Sequence, residues 1–204
     1  MSAPPTVFLL LAGPFGVGKS TLCERLVAEV PGFERVVTAT TRPPRINEVP
    51  DRDYHFLTEA QFDAQLAAGG FLEWAWVHQK YRYGTPRDSV LSRLPHTNLV
   101  ANLDVQGVRS VRAAAASDER LRGRLVTIFV APDSLAVLRE RMLGRGPVNP
   151  EELQRRMQSA EMEMGERTNY DYVIHSGTKE QDFRALLDYW KQAKARLAAA
   201  GGRR

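Results

Sequence analysis

A chain of 204 residues is long enough for one well-buried core with small appended lobes, and 43% hydrophobic with 25% charged side chains is the composition of an ordinary globular protein. The net charge of +4 comes with arginines spread along the whole chain, with no basic stripe or aromatic-basic motif; this argues against a nucleic-acid binder and suits a phosphate-rich small molecule or a general bias toward Arg. The single cysteine, Cys23, excludes an intrachain disulfide, is compatible with a reducing cytoplasm, and is expected to serve as a small buried apolar residue.

The apolar run at residues 6–12 is too short to span a bilayer and lacks the basic start and cleavage site of a signal peptide, so it reads as the first strand. Gly13-Pro14-Phe15-Gly16-Val17-Gly18-Lys19-Ser20-Thr21 follows it and opens an amphipathic segment at 22–30. Strand, glycine-rich turn and helix are the context in which a G-x-x-x-x-G-K-[ST] pattern acquires chemical meaning. The glycines let successive N–H groups point inward, and the helix N-terminus adds partial positive charge, so the loop makes a nest for phosphate oxygens. Lys19 would reach the outer phosphates and the Ser20 hydroxyl would ligate Mg²⁺. The alternative, a turn that binds nothing, requires neither the lysine nor the hydroxyl.

Farther on, residues 33–38 predict a strand. In the loop at 39–45, two consecutive prolines exclude helix and sheet interior and put Arg42 and Arg45 on an exposed, stiffened segment. A short strand at 54–56, a helix at 59–68 ended by Gly69-Gly70, and segments 71–77 and 81–85 that pair back on each other predict a small antiparallel lobe. A buried strand at 98–103 ends at Asp104, an arrangement suited to holding magnesium or its waters. A strand at 125–131 precedes a helix at 133–143 capped by Asp133 or Ser134, then a Gly- and Pro-rich connection and a helix at 151–166. Arg141, Arg145, Arg155 and Arg156 flank that bend; closing over a polyphosphate and forming a solvated charged face are both open from spacing alone. A strand at 172–174 and a helix at 179–199 complete an alternation that predicts an α/β fold with a mostly parallel sheet flanked by helices.

The motifs GPFGVGKST, TTRPPR, DYHF, FLEWAWVH, YGTP, LDVQG, LRERMLGRG, RRM and YDYVI, in this order from about Leu11 to Ile174, resemble those of the guanylate kinase family. The resemblance implies a P-loop NTPase core at about 1–37, 86–140 and 166–204, a small GMP-binding lobe at about 38–85 and a helical lid at about 141–165. It implies transfer of the terminal phosphoryl group of ATP to GMP in the cytoplasm, with Mg²⁺ as cofactor, by a monomer or homodimer without nucleic-acid or membrane partners. The loop from Gly13 to Thr21 would bind ATP, and Ser20, with Asp104 through water, would hold the metal. Glu73 resembles the reader of guanine N1–H and the exocyclic amine, with Thr38 and Thr85 on other ring atoms and Asp104 near the nucleoside. Arg42, Arg45, Tyr54 and Tyr83 resemble the clamp on the GMP phosphate. Lys19, Arg42, Arg141, Arg145 and Arg156 are implied as the groups around the transferring phosphoryl.

Several positions depart from the family pattern. Phe15 replaces a serine, where it would pack against the lid or block part of the donor path. Asn102 replaces an acidic residue, which predicts weaker control of magnesium. The turn at 78–83 is one residue longer than usual, so Tyr83 is the matched clamp residue with Tyr81 as alternative. Asn47 and Asp51 stand at common glycine positions, and both types tolerate left-handed backbone. His175-Ser176-Gly177 replaces an Asn-Asp pair near the adenine ring and leaves donor-base preference open. Rival readings are a binding module that has lost catalysis, which would lack the intact loop and lysine, and a related kinase, which would lack the combined Thr38, Tyr54, Glu73 and Thr85 set.

Overall fold

The computed structural model describes residues 5–77, 80–144, 146 and 148–201. Every residue of β1 (Phe8–Ala12) is buried, as its unbroken apolar run requires of a strand covered on both faces. It is central in a five-stranded sheet of β2 (Phe33–Arg35), β7 (Asn98–Asn102), β1, β8 (Leu125–Pro132) and β9 (Tyr172–Ser176), in that order. All the pairings in it are parallel, so the carboxyl ends of these strands share one edge. Leu9 and Leu11 of β1, with Val100, Ile128 and Val130, enter one half of the core. There they meet Leu26 of α1 (Lys19–Glu29) and Leu186 of α7 (Lys179–Gly201). Phe8 and Leu10, with Leu99 and Phe129, enter the other half, against Val108 and Val111 of α4 (Val105–Ser117). This period of two across a doubly covered sheet builds the two layers.

A second sheet carries β4 (Tyr54–Phe56), β3 (Thr38–Thr40), β6 (Tyr81–Pro86) and β5 (Phe71–Val77), in that order. Its own small core is Ala39, Phe62 and Phe71, with Phe62 of α2 (Glu59–Ala67) stacked on Phe71 at 4.4 Å between ring centroids. Thr58 and Gln61 close a capping box at the start of α2.

The structure corrects several expectations. The single strand expected at 33–38 is two strands in different sheets: β2 pairs with β7, Val36 still donates its N–H to the Val100 carbonyl, and the chain then crosses to become β3. Alternation marks extended backbone but does not identify its partner. The lobe is mixed, because β3 and β4 pair in parallel. Helices α3 (Arg87–Leu91) and α4 were not anticipated; the second starts with Asp104 as its cap, accepting the Gly107 N–H at 2.7 Å. Ser134 caps α5 (Leu135–Leu143), and α6 (Pro150–Gly165) begins one residue earlier than expected, with Asn149 as cap and proline in its first turn. Leu153 and Ala160 of α6 are buried in the core. Asp51 adopts the left-handed backbone, φ 61°, that its residue type tolerates. Cys23 is buried, and burial pushes its thiol up to about 12. Among the described residues no helix is long and apolar enough to cross a membrane.

Asn98 ties the sheet to the end of α1: its Oδ1 accepts the buried Val7 N–H at 3.1 Å and its Nδ2 donates to the Gly32 carbonyl at 2.9 Å. Asn98→Ala would strand a buried donor and is expected to cost about 1–3 kcal/mol in urea unfolding, with an unchanged denaturant slope. A loss below about 0.5 kcal/mol would show that these bonds do not hold the edge of the sheet.

Candidate active site

The loop between β1 and α1 takes its shape from its glycines. Gly13 has φ 135°, and a Cβ there would lie 2.2 Å from the Val130 carbonyl oxygen, so no other residue fits beside β8. Gly16 and Gly18 also have positive φ, at 91° and 111°, and Gly18 caps α1 without a side-chain bond. No acidic residue sits in the first turn of α1, so the positive end of the helix is left for an external anion. Pro14 and Val17 are buried, Thr21 is half-buried, and Ser20 is exposed. Lys19 folds back over the loop, its Nζ donating to the carbonyls of Gly13 at 2.5 Å and Pro14 at 3.0 Å. Asp104 lies two residues beyond the end of the neighbouring strand β7, as the cap of α4. Ser20 and Asp104 offer hard oxygen donors, and among the described residues no group of three or more His, Cys, Asp or Glu forms a protein-only cage. That donor set suits a magnesium ion shared between one or two side chains and phosphate oxygens.

The second sheet presents two clusters. Glu73 pairs with Thr85 across β5 and β6, and the Thr85 hydroxyl donates to Glu73 Oε1 at 2.6 Å. The register of β3 on β6, Ala39 opposite Gly84 and Thr40 opposite Tyr83, continues by one residue to set Thr38 opposite Thr85. Thr38, Thr85 and Glu73 therefore share one cross-strand row on one face, and all are buried. The Asp104 and Glu73 carboxylates both border Gly107: a Cβ there would lie 3.2 Å from Asp104 Oδ1 and 3.4 Å from Glu73 Oε2. Burial pushes the Glu73 carboxyl up to about 7, with the charge of Asp104 adding to the rise and the Thr85 hydrogen bonds opposing it.

The other cluster surrounds Arg42. Its Nε donates to the Tyr83 hydroxyl at 3.0 Å, and its terminal nitrogens donate to Glu48 at 2.9 and 2.8 Å. Tyr54 and Tyr83 meet edge to face at 5.8 Å, and the Arg42 guanidinium lies 5.4 Å from the Tyr54 ring. Arg42 is only 8% exposed, which corrects the expectation of a wholly exposed loop. The tip of the segment folds back so that Glu48 accepts both the Arg42 side chain and the Arg45 backbone N–H, the latter at 2.8 Å. Burial works against the Arg42 charge, yet the bonds to Glu48 and Tyr83 outweigh it and hold the guanidinium above its ordinary value. Arg45 itself is exposed. Tyr83, not Tyr81, meets Arg42; His78 and Gln79 of the long turn lie outside the described residues.

On the opposite side of the loop, Arg141 donates to the Ser176 hydroxyl at 3.0 Å, and Ser176 donates to Asp182 at 2.9 Å. These groups wall a cleft of about 450 Å³ that continues from Gly16 and Gly18 past Thr21 to Lys179. Arg156 donates its Nε–H to Glu152 at 2.8 Å and lies over the Phe15 ring. Arg155 is exposed and paired with the same Glu152, whereas Arg145 lies outside the described residues.

Sequence reasoning missed Glu48 and Asp182, held Gly107 only as part of its motif, and noted Ser176 only as a departure from the family pattern. A carboxylate three residues beyond Arg45 was the available signal for Glu48. The other three are brought in by the strand ends, and no spacing announces them.

Residues 6–193 match the guanylate kinase family model. A guanylate kinase of Symbiobacterium thermophilum is 38% identical over 172 residues, 84% of this chain and 78% of that protein. A guanylate kinase of Rhodopseudomonas palustris is also 38% identical, over 89% of this chain and 81% of that protein. Among solved structures, a guanylate kinase from Anaplasma phagocytophilum superposes with a TM-score of 0.72 at 24% identity, covering 94% of this chain and 88% of that one, a likeness of fold. The chain belongs to the guanylate kinase family.

Proposed function

We infer that the protein catalyses ATP + GMP = ADP + GDP by direct in-line phosphoryl transfer, with the cleft beside the phosphate loop taking the donor and the second sheet taking the acceptor. The observation that carries this reading is a buried Glu73 carboxylate, one oxygen held by Thr85, in the same protein as a complete phosphate loop. Guanine presents N1–H and an exocyclic amine side by side, and one carboxylate accepts both; adenine presents an acceptor at that ring nitrogen and is mismatched. In this reading Thr38, Thr85 and Asp104 complete the base site, while Arg42, Arg45, Tyr54 and Tyr83 hold the acceptor phosphate.

The loop N–H groups from Gly13 to Thr21 cradle the donor, and Lys19 exchanges its carbonyl partners for the outer phosphates. Ser20, with Asp104 through water, would hold Mg²⁺, which supplies neutralisation of charge on the donor phosphates. In this reading Arg42, Arg141, Arg145 and Arg156 act on the transferring group, so the protein supplies positioning and charge with no covalent intermediate. The acceptor phosphate is already anionic at neutral pH and needs no strong base. The reading divides the chain into a core, a GMP lobe at about 38–85 and a lid at about 141–165. It implies a cytoplasmic monomer or homodimer acting on small molecules.

A coupled assay of ADP formation from Mg-ATP is expected to show turnover on GMP and at least 10³-fold lower kcat/KM on AMP, with UMP and CMP also poor substrates; the discrimination is on the order expected for unpaired buried polar groups. Lys19→Met is expected to lower kcat by about 10²–10³-fold, as removal of one preorganised charge contact does. A folded protein that binds GMP but turns over no nucleotide would replace this reading with a binding module.

Acceptor binding should also titrate. Glu73 must be ionised to accept two N–H groups, and its carboxyl in the free protein sits at about 7, so protonation on the acid side removes the competent form. KM for GMP is expected to rise about tenfold between pH 8 and pH 6 while KM for ATP stays flat. Glu73→Gln, which cannot titrate, should lose on the order of 10²-fold in kcat/KM and retain only the pH dependence of the nucleotide phosphate. An equal pH response in both proteins would show that Glu73 does not read the base.

A further inference from the structure

Phe15 is an exposed residue of the phosphate loop that neither turns the backbone nor offers a polar side-chain group to phosphate, whereas Val17, equally apolar, is buried. Its ring is 39% exposed and does not line the adjoining cleft, so it leaves that donor path open. The ring instead meets α6: the guanidinium carbon of Arg156 stands 4.3 Å from its centroid. One helical turn before Arg156, Glu152 accepts the Nε–H at 2.8 Å.

These two contacts divide the guanidinium. The ring covers its face, the carboxylate takes its Nε edge, and among the described residues neither terminal nitrogen has a hydrogen-bond acceptor. A cation–π contact works through the face of the cation and uses no N–H group. A serine hydroxyl at position 15 would hold Arg156 only by accepting one of the N–H groups that phosphate needs. The aromatic ring therefore fixes the arginine at the loop while leaving its fork of donors intact.

We propose that Phe15 is a positioning residue for Arg156, holding the α6 arginine at the phosphate loop before nucleotide arrives, with its terminal N–H groups presented to the transferring phosphoryl group. The proposal rests on the reading of Arg156 as a group that touches that phosphoryl. It assigns to the ring a share of the orientation that the arginine would otherwise have to gain within the bound complex.

The test compares Phe15→Leu, which keeps apolar bulk and removes the ring, with Phe15→Trp, which keeps an aromatic face. In the ligand-free ¹⁵N-labelled protein the Arg156 Nε–Hε resonance is assigned by its disappearance in Arg156→Lys. The Phe15→Leu substitution is expected to move it downfield to the position of exposed arginines, and Phe15→Trp to keep it upfield. In the coupled assay Phe15→Leu is expected to lower kcat about three- to tenfold, the range of a partly exposed cation–π contact, with KM for GMP unchanged and with Phe15→Trp restoring turnover. An unmoved resonance in Phe15→Leu, or turnover equal to or above that of the starting protein, would overturn the proposal. Absence of GMP turnover by the starting protein would overturn the kinase reading instead, and the resonance alone would then decide whether the ring holds the arginine.

Discussion

The approach of Gly13 to the Val130 carbonyl fixes where everything else in this protein must stand. A Cβ at 2.2 Å from that oxygen is forbidden, so the chain leaving β1 passes flush against β8 and turns at once into α1. The turn lies at the carboxyl edge of a parallel sheet, and parallel strands deliver their ends to the same edge. Hence Asp104 arrives from β7, Arg141 from the helix after β8 and Ser176 from β9, without any of them being near the loop in sequence. The helix dipole, the inward N–H groups and Lys19 make this edge positive, while its two carboxylates, Asp104 and Asp182, are each tied to a backbone N–H.

The second sheet solves a different problem. It must be stable with a small core and still hold polar groups out of water. Its apolar centre is essentially Phe62 stacked on Phe71, and Arg82 extends this by lying 4.6 Å over Phe62 while pairing with Glu59 and Asp63 of α2. The polar row of Thr38, Thr85 and Glu73 is fixed by register, because a slip of one residue on β6 would turn all of these groups to the other face. Contact of Glu73 with the Gly107 end of α4 then docks the lobe on the larger sheet. Gly107 is small at the place where two carboxylates share one recess.

The parallel core was legible because β1 is an unbroken apolar run and β7 and β8 are dominated by apolar residues, a pattern that a doubly covered sheet buries. The loop was legible because its glycines, lysine and hydroxyl are adjacent in sequence. The crossing at Val36 and Val37 was not, since both residues favour extended backbone whichever sheet takes them. The burial of Arg42 was hidden for a related reason: two prolines define local stiffness, whereas Glu48 and Tyr83, which draw the arginine inward, act through the folded loop and a distant strand. Phe15 was visible as an odd residue in its motif, but its partner on α6 emerges only from packing.

Glu48 and Glu73 show how one residue type serves opposite ends of a site. Both are withdrawn from water, and burial alone would push both carboxyls up. At Glu48 the Arg42 guanidinium and the Arg45 N–H outweigh burial, so the carboxyl is held below its usual range and remains a charge. At Glu73 the neighbours are a hydroxyl and another carboxylate, burial prevails, and the group sits at about 7. A buried guanidinium stripped of its counter-charge is strongly destabilising, so Glu48 keeps Arg42 compatible with a folded lobe when no phosphate is present. The Glu73 carboxylate, with Thr85 donating to one oxygen and Asp104 beside the other, is by contrast left short of hydrogen-bond donors. The arginine cluster is therefore already satisfied and owes its geometry to the protein, whereas the Glu73 recess is incomplete alone, which suits the proposed role of reading a base there.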